Sequence, residues 1–515
     1  MDFEVFDRYT CFGEIVEDPI RRCPEREAII FGDWHITYGD FGRMIRQTAH
    51  YLRRLGVTKG TRVAIISRNC PECLIAEFAL YRLGAVAVKI NWRLTPEEMA
   101  YMLELNDVTH AFYKPEKPEW EAALHTRFGT KIRFLSINGA DSEPPLRARI
   151  AAESDAPIHA DVRREDAACH LHTSGTTGRP KCVVYTHGSM LAELRSALGV
   201  YSYPDGQRYQ YISQLFHSAA IGAHLSLATG GSMVLMPQFS IDAYMESLVR
   251  EKINAISVVP TILKWILDEI DRNHYDLSNL RTVNYSTCPI PPALLQRAVE
   301  RLNCQFYQSY GMTEMGSIVT LLAPEDHFSD GGRHRTSVGR PIAGAAVKIV
   351  DETGQECPTG VPGEILVQGP GRMKEYLARP ELTEASFSDG WYHTKDIGYL
   401  DADGYLTLCG RADDLIISGG ENIYPGEVCN VIMQLCDDVA EAAVYGVPDE
   451  TWGEHVKASV VLMPGSRLTA EEIRQYCRAH MPTFRAPKEV ELLEALPKSA
   501  TGKVLISELK RRENT

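Results

Sequence analysis

The sequence predicts an α/β protein with a large N-terminal domain of helix-covered sheets, a small β unit, and a smaller α+β C-terminal domain. Helix and strand patterns alternate through the first third of the chain, which is typical of parallel sheets covered by helices. Within 346–367 apolar and polar residues alternate in short segments separated by predicted tight turns, and the pattern of predicted strands and helices changes after Gly410. With 515 residues, two or more domains are expected. We place them at 1–410 and 411–515.

The first elements follow from hydrophobic spacing. Thr37 to Asp40 has the character of a helix start, and apolar residues then recur at helical spacing from Phe41 to Leu55, until Gly56 ends the pattern. Strands are predicted at 62–66, 86–90 and 111–113, and helices at 71–83 and 95–105. No GxGxxG follows the first of these strands, so the run does not indicate a dinucleotide-binding fold.

The remaining elements are predicted more coarsely. Residues 116–165 are polar and rich in Pro, Ala and Asp, which predicts loops, and a second α/β segment is expected from Ala167 to about Ala323. Strand patterns at 346–350 and 364–367 form the small β unit. Residues 413–515 are long enough for an independent small domain.

Composition limits the classes of partner. The net charge of −14 argues against nucleic acid as the principal partner. No uncharged apolar run reaches 18 residues, and the first twenty residues carry six acidic side chains where a targeting peptide would be basic. The 13 cysteines are odd in number and widely spread, which fits a reducing compartment. We therefore expect a cytoplasmic protein with no transmembrane segment.

The C-terminal end has the opposite charge. Between Arg474 and Arg512 nine lysines and arginines stand against four glutamates. Such a concentration of positive charge can attract a phosphate-bearing ligand, although a solvated helix face explains it equally well when it is taken alone.

The segment Thr173-Ser-Gly-Thr-Thr-Gly-Arg-Pro-Lys181 follows an apolar strand pattern. Its hydroxyls, its lysine and its glycine backbone can surround phosphate oxygens, because glycine allows close approach. Lys181 does not directly follow Gly178, and no Ser or Thr comes after it. The segment is therefore a phosphate-loop candidate that differs from the Walker type.

Four further motifs follow in order: QSYGMTE at 308–314, WYHTKD at 391–396, GRADDLIISGGENIYPGEV at 410–428 and PKSATGK at 497–503. With the phosphate-loop candidate, the chain resembles the adenylate-forming superfamily, which includes acyl-CoA synthetases, carrier-loading adenylation domains and luciferases. The motifs span about 170–503, and the chain length also fits the family.

The resemblance implies a nucleotide site. Glu314 matches the magnesium-associated acid, with Thr313 beside it on the phosphate, and Asp396 matches the acceptor of the ribose hydroxyls, with Arg411 as its neighbour. A carboxylate suits two vicinal hydroxyls because it only accepts hydrogen bonds. The other nucleotide-binding residues that the motifs imply are Thr173, Ser174, Gly175, Thr176, Thr177, Gly178, Lys181, Thr287, Cys288, Ser309, Tyr310, Gly311 and Met312.

The resemblance also implies a mobile C-terminal domain. Lys503 matches the lysine that reaches the carboxylate and the α-phosphate, and a long ammonium side chain on a Gly-flanked loop can deliver charge to a transition state. Asp413 matches the hinge about which the small domain turns. Gly419 and Gly420 match the glycines that line the pantetheine passage. His217 matches a residue that gates the acid pocket near the carboxylate.

The chain departs from the family pattern at three places. Cys182 and Lys395 each replace a glycine, and Ser286-Thr-Cys-Pro289 replaces Gly-Gly-Ala-Pro on the adenine side. The departures leave the charged site residues in place but affect local backbone geometry. Candidate walls of the acid pocket are Trp265, His224 and Tyr285, together with Thr287 and Cys288.

The resemblance implies an ATP-dependent acyl-CoA synthetase that converts a carboxylic acid, ATP and CoA into acyl-CoA, AMP and diphosphate through an acyl-adenylate. It would use Mg²⁺, and its substrate would be a medium-chain fatty, branched or aryl acid. The alternative is loading of a carrier-protein phosphopantetheine. A luciferase-like oxidoreductase and a non-catalytic adenylate-binding protein are more remote alternatives. A homodimer is expected as the commonest oligomer.

Overall fold

A computed structural model describes most of the chain. The described residues are 4–114, 117–139, 144–173, 180–201, 204–287, 290–327, 334–435, 438–463, 465–498 and 504–513.

The helices and strands are numbered along the chain. The helices are α1 (Val5–Arg8), α2 (Glu17–Arg22), α3 (Tyr38–Arg54), α4 (Pro71–Leu83), α5 (Pro96–Leu105), α6 (Pro118–Phe128), α7 (Leu146–Ile150), α8 (His187–Leu198), α9 (Ile221–Thr229), α10 (Ile241–Arg250), α11 (Pro260–Arg272), α12 (Pro292–Leu302), α13 (Pro380–Ala385), α14 (Pro425–Ile432), α15 (Ala470–His480) and α16 (Ile506–Glu513). The strands are β1 (Glu27–Phe31), β2 (Trp34–Thr37), β3 (Arg62–Ile66), β4 (Val86–Lys89), β5 (His110–Tyr113), β6 (Arg133–Ser136), β7 (Ala167–Thr173), β8 (Lys181–Thr186), β9 (Arg208–Tyr211), β10 (Ser232–Leu235), β11 (Ala255–Val258), β12 (Thr282–Ser286), β13 (Gln305–Tyr310), β14 (Thr320–Leu322), β15 (Arg340–Pro341), β16 (Ala346–Val350), β17 (Gly363–Gln368), β18 (Glu375–Tyr376), β19 (Phe387–Ser388), β20 (Trp391–Leu400), β21 (Leu406–Arg411), β22 (Ile416–Ser418), β23 (Glu421–Ile423), β24 (Val439–Asp449), β25 (Gly453–Leu462) and β26 (Glu489–Leu492).

Two large sheets form the centre of the N-terminal part. One has the strand order β15-β14-β13-β12-β11-β9-β10-β1-β2 and the other β18-β8-β7-β4-β3-β5-β6. The inner strands of each sheet pair in parallel, and antiparallel strands lie towards the edges. Parallel strands require crossovers, and the α-helices between them supply these. The predicted helix-covered parallel sheet is confirmed.

The core is layered because neighbouring residues of a strand point to opposite faces. Helices α3, α4, α8 and α9 share one apolar core with inward residues of both sheets, such as Ile29 and Val63. The next residues, Ile30 and Ala64, belong to separate cores on the outer faces, with α10–α12 and with α5–α6. These central strands therefore read as continuous apolar runs.

The start of α3 shows how the sequence sets an element. Thr37 caps the helix and its hydroxyl accepts a hydrogen bond from the Asp40 backbone N–H, as the predicted helix start requires. The predicted loop at 116–165 is wrong in part, because α6, β6 and α7 lie within it. Helix α6 has proline at its first position, where the missing N–H removes no intrahelical hydrogen bond. The proline-rich composition therefore led to a wrong prediction of a loop.

The small β unit and the C-terminal part follow. The β unit has the order β16-β17-β20-β19, with β21 paired to β20, and the C-terminal sheet has the order β23-β22-β25-β24, with β26 paired to β25. The latter packs on α14 and α15 through one core and on α16 through another. The mixed α/β class with a large N-terminal and a smaller C-terminal domain is confirmed. Within the described residues, no helix is long and apolar enough to span a membrane.

Candidate active site

The proposed ribose-binding pair lies across two neighbouring strands. Asp396 on β20 and Arg411 on β21 are direct partners in the antiparallel ladder. Arg411 Nη1 donates to Asp396 Oδ1 at 2.9 Å, and the Tyr310 hydroxyl donates to Asp396 Oδ2 at 2.6 Å. Because Tyr310 ends β13 of a large sheet, this contact holds the β unit against the carboxyl end of the parallel strands, where ligands of open α/β sheets bind.

The backbone next to Asp396 has an unusual conformation. Lys395 adopts a left-handed φ of 60°, which non-glycine residues rarely adopt. The Asp396 N–H donates to Thr394 Oγ1 at 2.9 Å, and the Lys395 N–H donates to Glu364 Oε1 at 3.2 Å. The lysine at the family's glycine position thus adopts a backbone conformation typical of glycine, and hydrogen bonds from Arg411 and to Thr394 hold Asp396.

Glu314 lies in a short 3-10 turn, Thr313–Met315, directly after β13. Its side chain is buried, and its Oε1 accepts a hydrogen bond from the Tyr376 hydroxyl at 2.7 Å. Tyr376 and Tyr392 bring their hydroxyl oxygens within 3.3 Å of each other. Burial and the Glu314 charge raise the pKa of both tyrosines, so they remain protonated donors to the carboxylate at neutral pH.

Two further contacts fix this turn. The Tyr185 hydroxyl donates to the Thr313 carbonyl. At Gly311 an added Cβ would lie 2.4 Å from the Ser317 carbonyl oxygen, so only glycine permits this close approach. Both contacts place Glu314 beside the end of β13.

The phosphate-loop candidate begins and ends on adjacent strands. Thr173 at the end of β7 and Lys181 at the start of β8 are ladder partners. Lys181 Nζ lies 5.1 Å from the centre of the Tyr376 ring, which is the ring that contacts Glu314. Lys181, at which the loop ends, is therefore separated from the Glu314 carboxylate by one aromatic ring. The predicted residues between the ends of the loop, Ser174, Gly175, Thr176, Thr177 and Gly178, lie outside the described residues, as does Cys288.

The adenine-side segment ends at the same edge. Strands β12 and β13 run parallel, with Ser286 opposite Ser309, so Thr287, which follows β12, lies at the same edge as Tyr310, which ends β13. Thr287 has a φ of 83°, a strained conformation for a β-branched residue. The departure from the family's glycine pair is thus accommodated by backbone strain next to the site.

A small buried cavity lies beside Glu314's turn. It has a volume of about 30 Å³, which is enough for a few water molecules at most. His217 is one of its walls, and burial, with a smaller contribution from Arg93, lowers the pKa of His217 to about 4. The imidazole is therefore neutral at pH 7. The lining residues are Phe12, Lys89, Cys169, Leu171, Tyr185, Met190, Glu193, His217, Ser218, Ala220, Ile221, His224 and Ser317.

Comparison with protein families matches the AMP-binding enzyme family over residues 16–377 and the AMP-binding enzyme C-terminal domain over 430–503. The first match alone covers more than half of the chain. The chain belongs to the AMP-binding enzyme family. The predicted adenylate-forming superfamily is therefore confirmed.

Individual relatives cover nearly the whole length of this AMP-binding enzyme. A feruloyl-CoA synthase from an Amycolatopsis species is 35% identical over 96% of this chain and 98% of its own. A fatty acid–[acyl-carrier-protein] ligase from Streptomyces coeruleorubidus is 31% identical over 95% and 94%. The structure of o-succinylbenzoate CoA synthetase from Bacillus subtilis in complex with its acyl-adenylate intermediate has a TM-score of 0.83 and 30% identity over 96% and 98%.

The family determines the enzyme class. The AMP-binding enzyme is an AMP-forming acid–thiol ligase of the acyl- and aryl-CoA ligase group, and its class uses ATP, Mg²⁺ and CoA. Glu314 fits a magnesium ligand, because Mg²⁺ takes hard carboxylate oxygens together with phosphate oxygens and this carboxylate is buried and held by Tyr376.

The structure brings most predicted nucleotide residues of the AMP-binding enzyme together, but it places others apart or outside its described part. Asp413 lies in the 3-10 turn Ala412–Asp414, directly after β21. Gly419 and Gly420 form the turn between β22 and β23, both with left-handed φ. An added Cβ at Gly419 would lie 2.7 Å from the Trp452 ring. Lys503 lies outside the described residues.

Sequence reasoning named three pocket walls, within the described residues, that the cavity does not contain. Trp265 is 46% exposed and stacks on Phe239. Tyr285 is buried on another side, where its hydroxyl contacts Gln308 and His327. Thr287 follows β12 and is not among the lining residues. Of the candidate walls that the structure describes, only His224 lines the cavity. Periodicity indicates that a residue is buried but does not identify which face of the sheet it meets.

Other site residues were missed. Tyr376 and Tyr392 come from β18 and β20, outside the QSYGMTE motif that carries Glu314, so no local pattern connects them. Glu193 lies on α8, and its Oε1 accepts a hydrogen bond from the Ser317 N–H at 2.6 Å. A glutamate among the apolar positions of α8 was the one available signal.

Glu193 leads to a pH prediction. Burial raises its pKa to about 7, so the native state keeps a proton that the unfolded chain loses near pH 4.5. The free energy of unfolding should therefore fall as pH rises from about 4.5 to about 7. We expect Glu193→Gln, which keeps the acceptor for Ser317, to remove this loss and stabilise the protein at pH 8 by up to about 3 kcal/mol. Unfolding temperatures across this pH range measure the effect, and a constant difference between variant and parent would contradict it.

Proposed function

We propose that this enzyme is an ATP-dependent acyl-CoA synthetase that acts on a medium-chain fatty, branched or aryl carboxylic acid. The observation that carries the proposal is the joining of Asp396, Arg411 and Tyr310 in one hydrogen-bonded group at the end of the parallel strands. Glu314 follows four residues after Tyr310. Asp396 would accept hydrogen bonds from the ribose, Arg411 supplies the cation beside it, and Glu314 is the carboxylate that would bind the metal ion of a nucleoside triphosphate.

In the first half-reaction, a carboxylate oxygen attacks the α-phosphorus of ATP while the bond to the bridging oxygen breaks and diphosphate leaves. We assign Asp396 to the ribose hydroxyls and Glu314 to the magnesium ion. The ion would neutralise charge on the phosphates. Lys503 would place its ammonium between the acid and the α-phosphate, where negative charge develops. Neutral His217 would face the carboxylate without adding charge.

In the second half-reaction, the CoA sulfur, having lost its proton, attacks the acyl carbonyl, a C–S bond forms, and AMP leaves with the oxygen of the mixed anhydride. We propose that residues 411–515 turn about Asp413 between the two steps, and that Gly419 and Gly420 line the passage of the pantetheine arm. The basic stretch at 474–512 would attract the phosphates of CoA.

The experiment is a panel of carboxylic acids scored for diphosphate release with and without CoA. Acyl-CoA and AMP should form together from at least one acid. If adenylate forms but CoA does not release AMP, the second candidate applies, namely transfer to a carrier-protein phosphopantetheine. The fatty acid–[acyl-carrier-protein] ligase among the relatives favours that alternative over the remaining ones. A homodimer and a cytoplasmic location remain predictions, which sedimentation and cell fractionation would test.

The hinge leads to a separate prediction. Asp413→Pro should impair the two half-reactions unequally, because proline fixes φ at its own position and restricts Ala412 before it. Adenylation measured by diphosphate release, and thioester formation measured from supplied acyl-adenylate, give the two rates. Asp413→Ala is the control, since it removes the carboxylate and keeps the backbone free. Equal losses in both steps for the proline variant would count against a hinge at this residue.

A further inference from the structure

Two cysteines meet at the start of α4. Cys70 is the N-cap residue of this helix, and Cys73 follows in its first turn, in the sequence Cys-Pro-Glu-Cys. Their Sγ atoms lie 3.4 Å apart, and the Cys73 N–H donates to the Cys70 carbonyl at 3.1 Å. No other two of the 13 cysteines have this spacing in the sequence. A C-x-x-C pair at a helix N-terminus is the arrangement of dithiols that oxidise to disulfides.

The two sulfurs need only a small movement to form a bond. Both cysteines are free thiols in the structure. A disulfide has an S–S distance of about 2.05 Å, so the sulfurs must approach each other by about 1.3 Å. Rotation about the Cα–Cβ bonds, together with a shift of the residues before the helix, can supply this approach.

The burial of the pair determines which oxidant can reach it. Cys70 and Cys73 are 2% and 4% exposed, so a bulky, charged disulfide such as oxidised glutathione is too large to enter. Hydrogen peroxide is uncharged and hardly larger than a water molecule, which suits a buried sulfur. The hydrogen bond to Cys73 and burial raise the pKa of Cys70. Cys70 therefore keeps its proton, and Cys73 is the sulfur that reacts first.

The residue before Cys70 holds a segment that leads to the small cavity. Asn69 is 1% exposed. Its Nδ2 donates to the Ser213 carbonyl at 2.8 Å, and its Oδ1 accepts from the Leu215 N–H at 3.0 Å. The His217 N–H then donates to the Gln214 carbonyl at 3.0 Å, and His217 lines the cavity. The amide of Asn69 thus fixes the segment that carries this wall.

Oxidation of the pair changes the surroundings of Asn69. The Cys73 thiol donates to the Arg68 carbonyl at 3.6 Å, and Cys70 Sγ lies 3.7 Å from Ser67 Oγ. A disulfide carries no S–H hydrogen, so the hydrogen bond to the Arg68 carbonyl is lost when the S–S bond forms. Asn69 lies between these groups in the chain. The approach of the sulfurs and the lost hydrogen bond therefore both act on its backbone.

We propose that Cys70 and Cys73 form a site of reversible oxidation by hydrogen peroxide, and that the resulting disulfide weakens the hold of Asn69 on residues 213–215. The inference concerns a modification of the enzyme and does not depend on which acid the enzyme activates. Because the segment carries a wall of the cavity, oxidation slows adenylation without altering a nucleotide-binding residue.

The reaction is balanced by the peroxide alone. The Cys73 sulfur, having lost its proton, attacks one peroxide oxygen, the O–O bond breaks, and hydroxide leaves and takes up the proton to form water. The Cys70 sulfur then attacks the Cys73 sulfenic acid, the S–S bond forms, the S–O bond breaks, and a second water leaves with the Cys70 proton. Two thiols are oxidised and one peroxide is reduced. A dithiol such as dithiothreitol reverses the change by thiol–disulfide exchange.

The first test identifies the modification in the full-length enzyme. The protein is exposed to hydrogen peroxide, its remaining thiols are alkylated under denaturing conditions, and it is digested with trypsin. Arginines at 68 and 82 release the peptide 69–82, which contains both cysteines of the pair and no other. We expect this peptide to lose both alkylation sites together and to regain both after dithiothreitol. A peptide that stays fully alkylated, or that gains oxygen without forming a disulfide, overturns the inference.

The second test measures the consequence. The backbone amides of 213–217 should exchange hydrogen faster in the oxidised enzyme, because their local opening becomes easier. The kcat/KM for the acid in diphosphate release should fall by about 10- to 10²-fold and recover with dithiothreitol. A disulfide that leaves either quantity at its reduced value overturns the inference. The peptide and exchange measurements need no substrate, so they still decide the inference if no acid is activated and the proposed function alone fails.

The variants assign the response to the pair. Cys70→Ala and Cys73→Ala each remove one sulfur, and each should abolish the reversible loss of activity while keeping the reduced rate. Cys477→Ala is the matched control, because Cys477 is equally buried in the core of the C-terminal part. It should keep the parental response. A reversible loss that persists in Cys70→Ala or in Cys73→Ala overturns the inference, and the peptide measurement on the parent enzyme does not depend on how well any variant folds.

Discussion

Replacing Lys503 with alanine is expected to slow adenylation by about 10²- to 10³-fold, and to affect thioester formation from supplied acyl-adenylate much less. The reason is electrostatic. In the first step two anions meet at the α-phosphorus, and one ammonium group there stabilises the transition state more than the ground state. In the proposed second step a thiolate would take that place, so the ammonium would no longer be needed. Single-turnover rates for the two half-reactions measure the difference.

The chain offers a matched control for Lys503. Lys498 and Val504 form an isolated antiparallel bridge, so the chain enters and leaves the Lys503 segment at neighbouring points. Lys498 Nζ forms a salt bridge with Glu441 at 2.7 Å, so its charge is already engaged by a side chain of the C-terminal part. Lys498→Ala should leave both rates close to the parental values. Equal losses in the two half-reactions for Lys503→Ala would rule out the assigned role.

Glu314→Gln should lower kcat for diphosphate release by about 10²-fold and raise the Mg²⁺ concentration needed for half-maximal rate. The substitution removes the charge that a divalent ion requires and keeps an oxygen acceptor for the Tyr376 hydroxyl, which is 2.7 Å from Oε1 in the parent. The local packing should therefore persist, and an unchanged unfolding temperature would confirm that it does. Initial rates over a magnesium titration give both quantities.

Glu375→Gln is the control for this change. Glu375 precedes Tyr376 on β18, and successive residues of a strand point to opposite faces. Glu375→Gln therefore makes the same chemical change on the other face of the strand. Its magnesium curve should match that of the parent. A Glu314→Gln enzyme with parental kcat and parental magnesium dependence would place the metal ligand elsewhere.

The layered fold was predictable because the apolar periodicity is strong. The strand predicted at 62–66 is β3, with the same bounds, and the helical pattern predicted from Phe41 to Leu55 extends one residue past the end of α3 at Arg54. Both depend on local patterns that tertiary packing reinforces. Helix α6 was not predicted, because its first turn carries proline and it lies in a stretch whose overall composition is polar and rich in Pro, Ala and Asp.

The site was predictable to the extent that it lies in contiguous motifs. Asp396, Arg411 and Tyr310 belong to three such motifs, and the structure joins them through hydrogen bonds. Tyr376 belongs to none of these motifs. It reaches Glu314 only because β18 pairs with β8. A long-range pairing of this kind leaves no periodic trace in a single sequence.

Two of the three departures from the family pattern have a common physical basis. Lys395 and Thr287 stand where the pattern has glycine, and both adopt left-handed φ values. The fold therefore imposes glycine-like geometry on residues that resist it, at a cost of about 1–3 kcal/mol each. The sequence identified where the backbone would be unusual. It did not indicate whether the backbone would leave the left-handed conformation or the non-glycine residue would adopt it.

The contact between β21 and α14 affects the proposed domain movement that separates the two half-reactions. An added Cβ at Gly426, in the first turn of α14, would lie 2.4 Å from the Cys409 carbonyl oxygen on β21. If the small domain swings about Asp413, this tight seam must part on each cycle. Under that proposal the absence of a side chain at Gly426 lets the two surfaces close onto each other, and Gly426→Ala should slow the return of the small domain and with it the overall turnover.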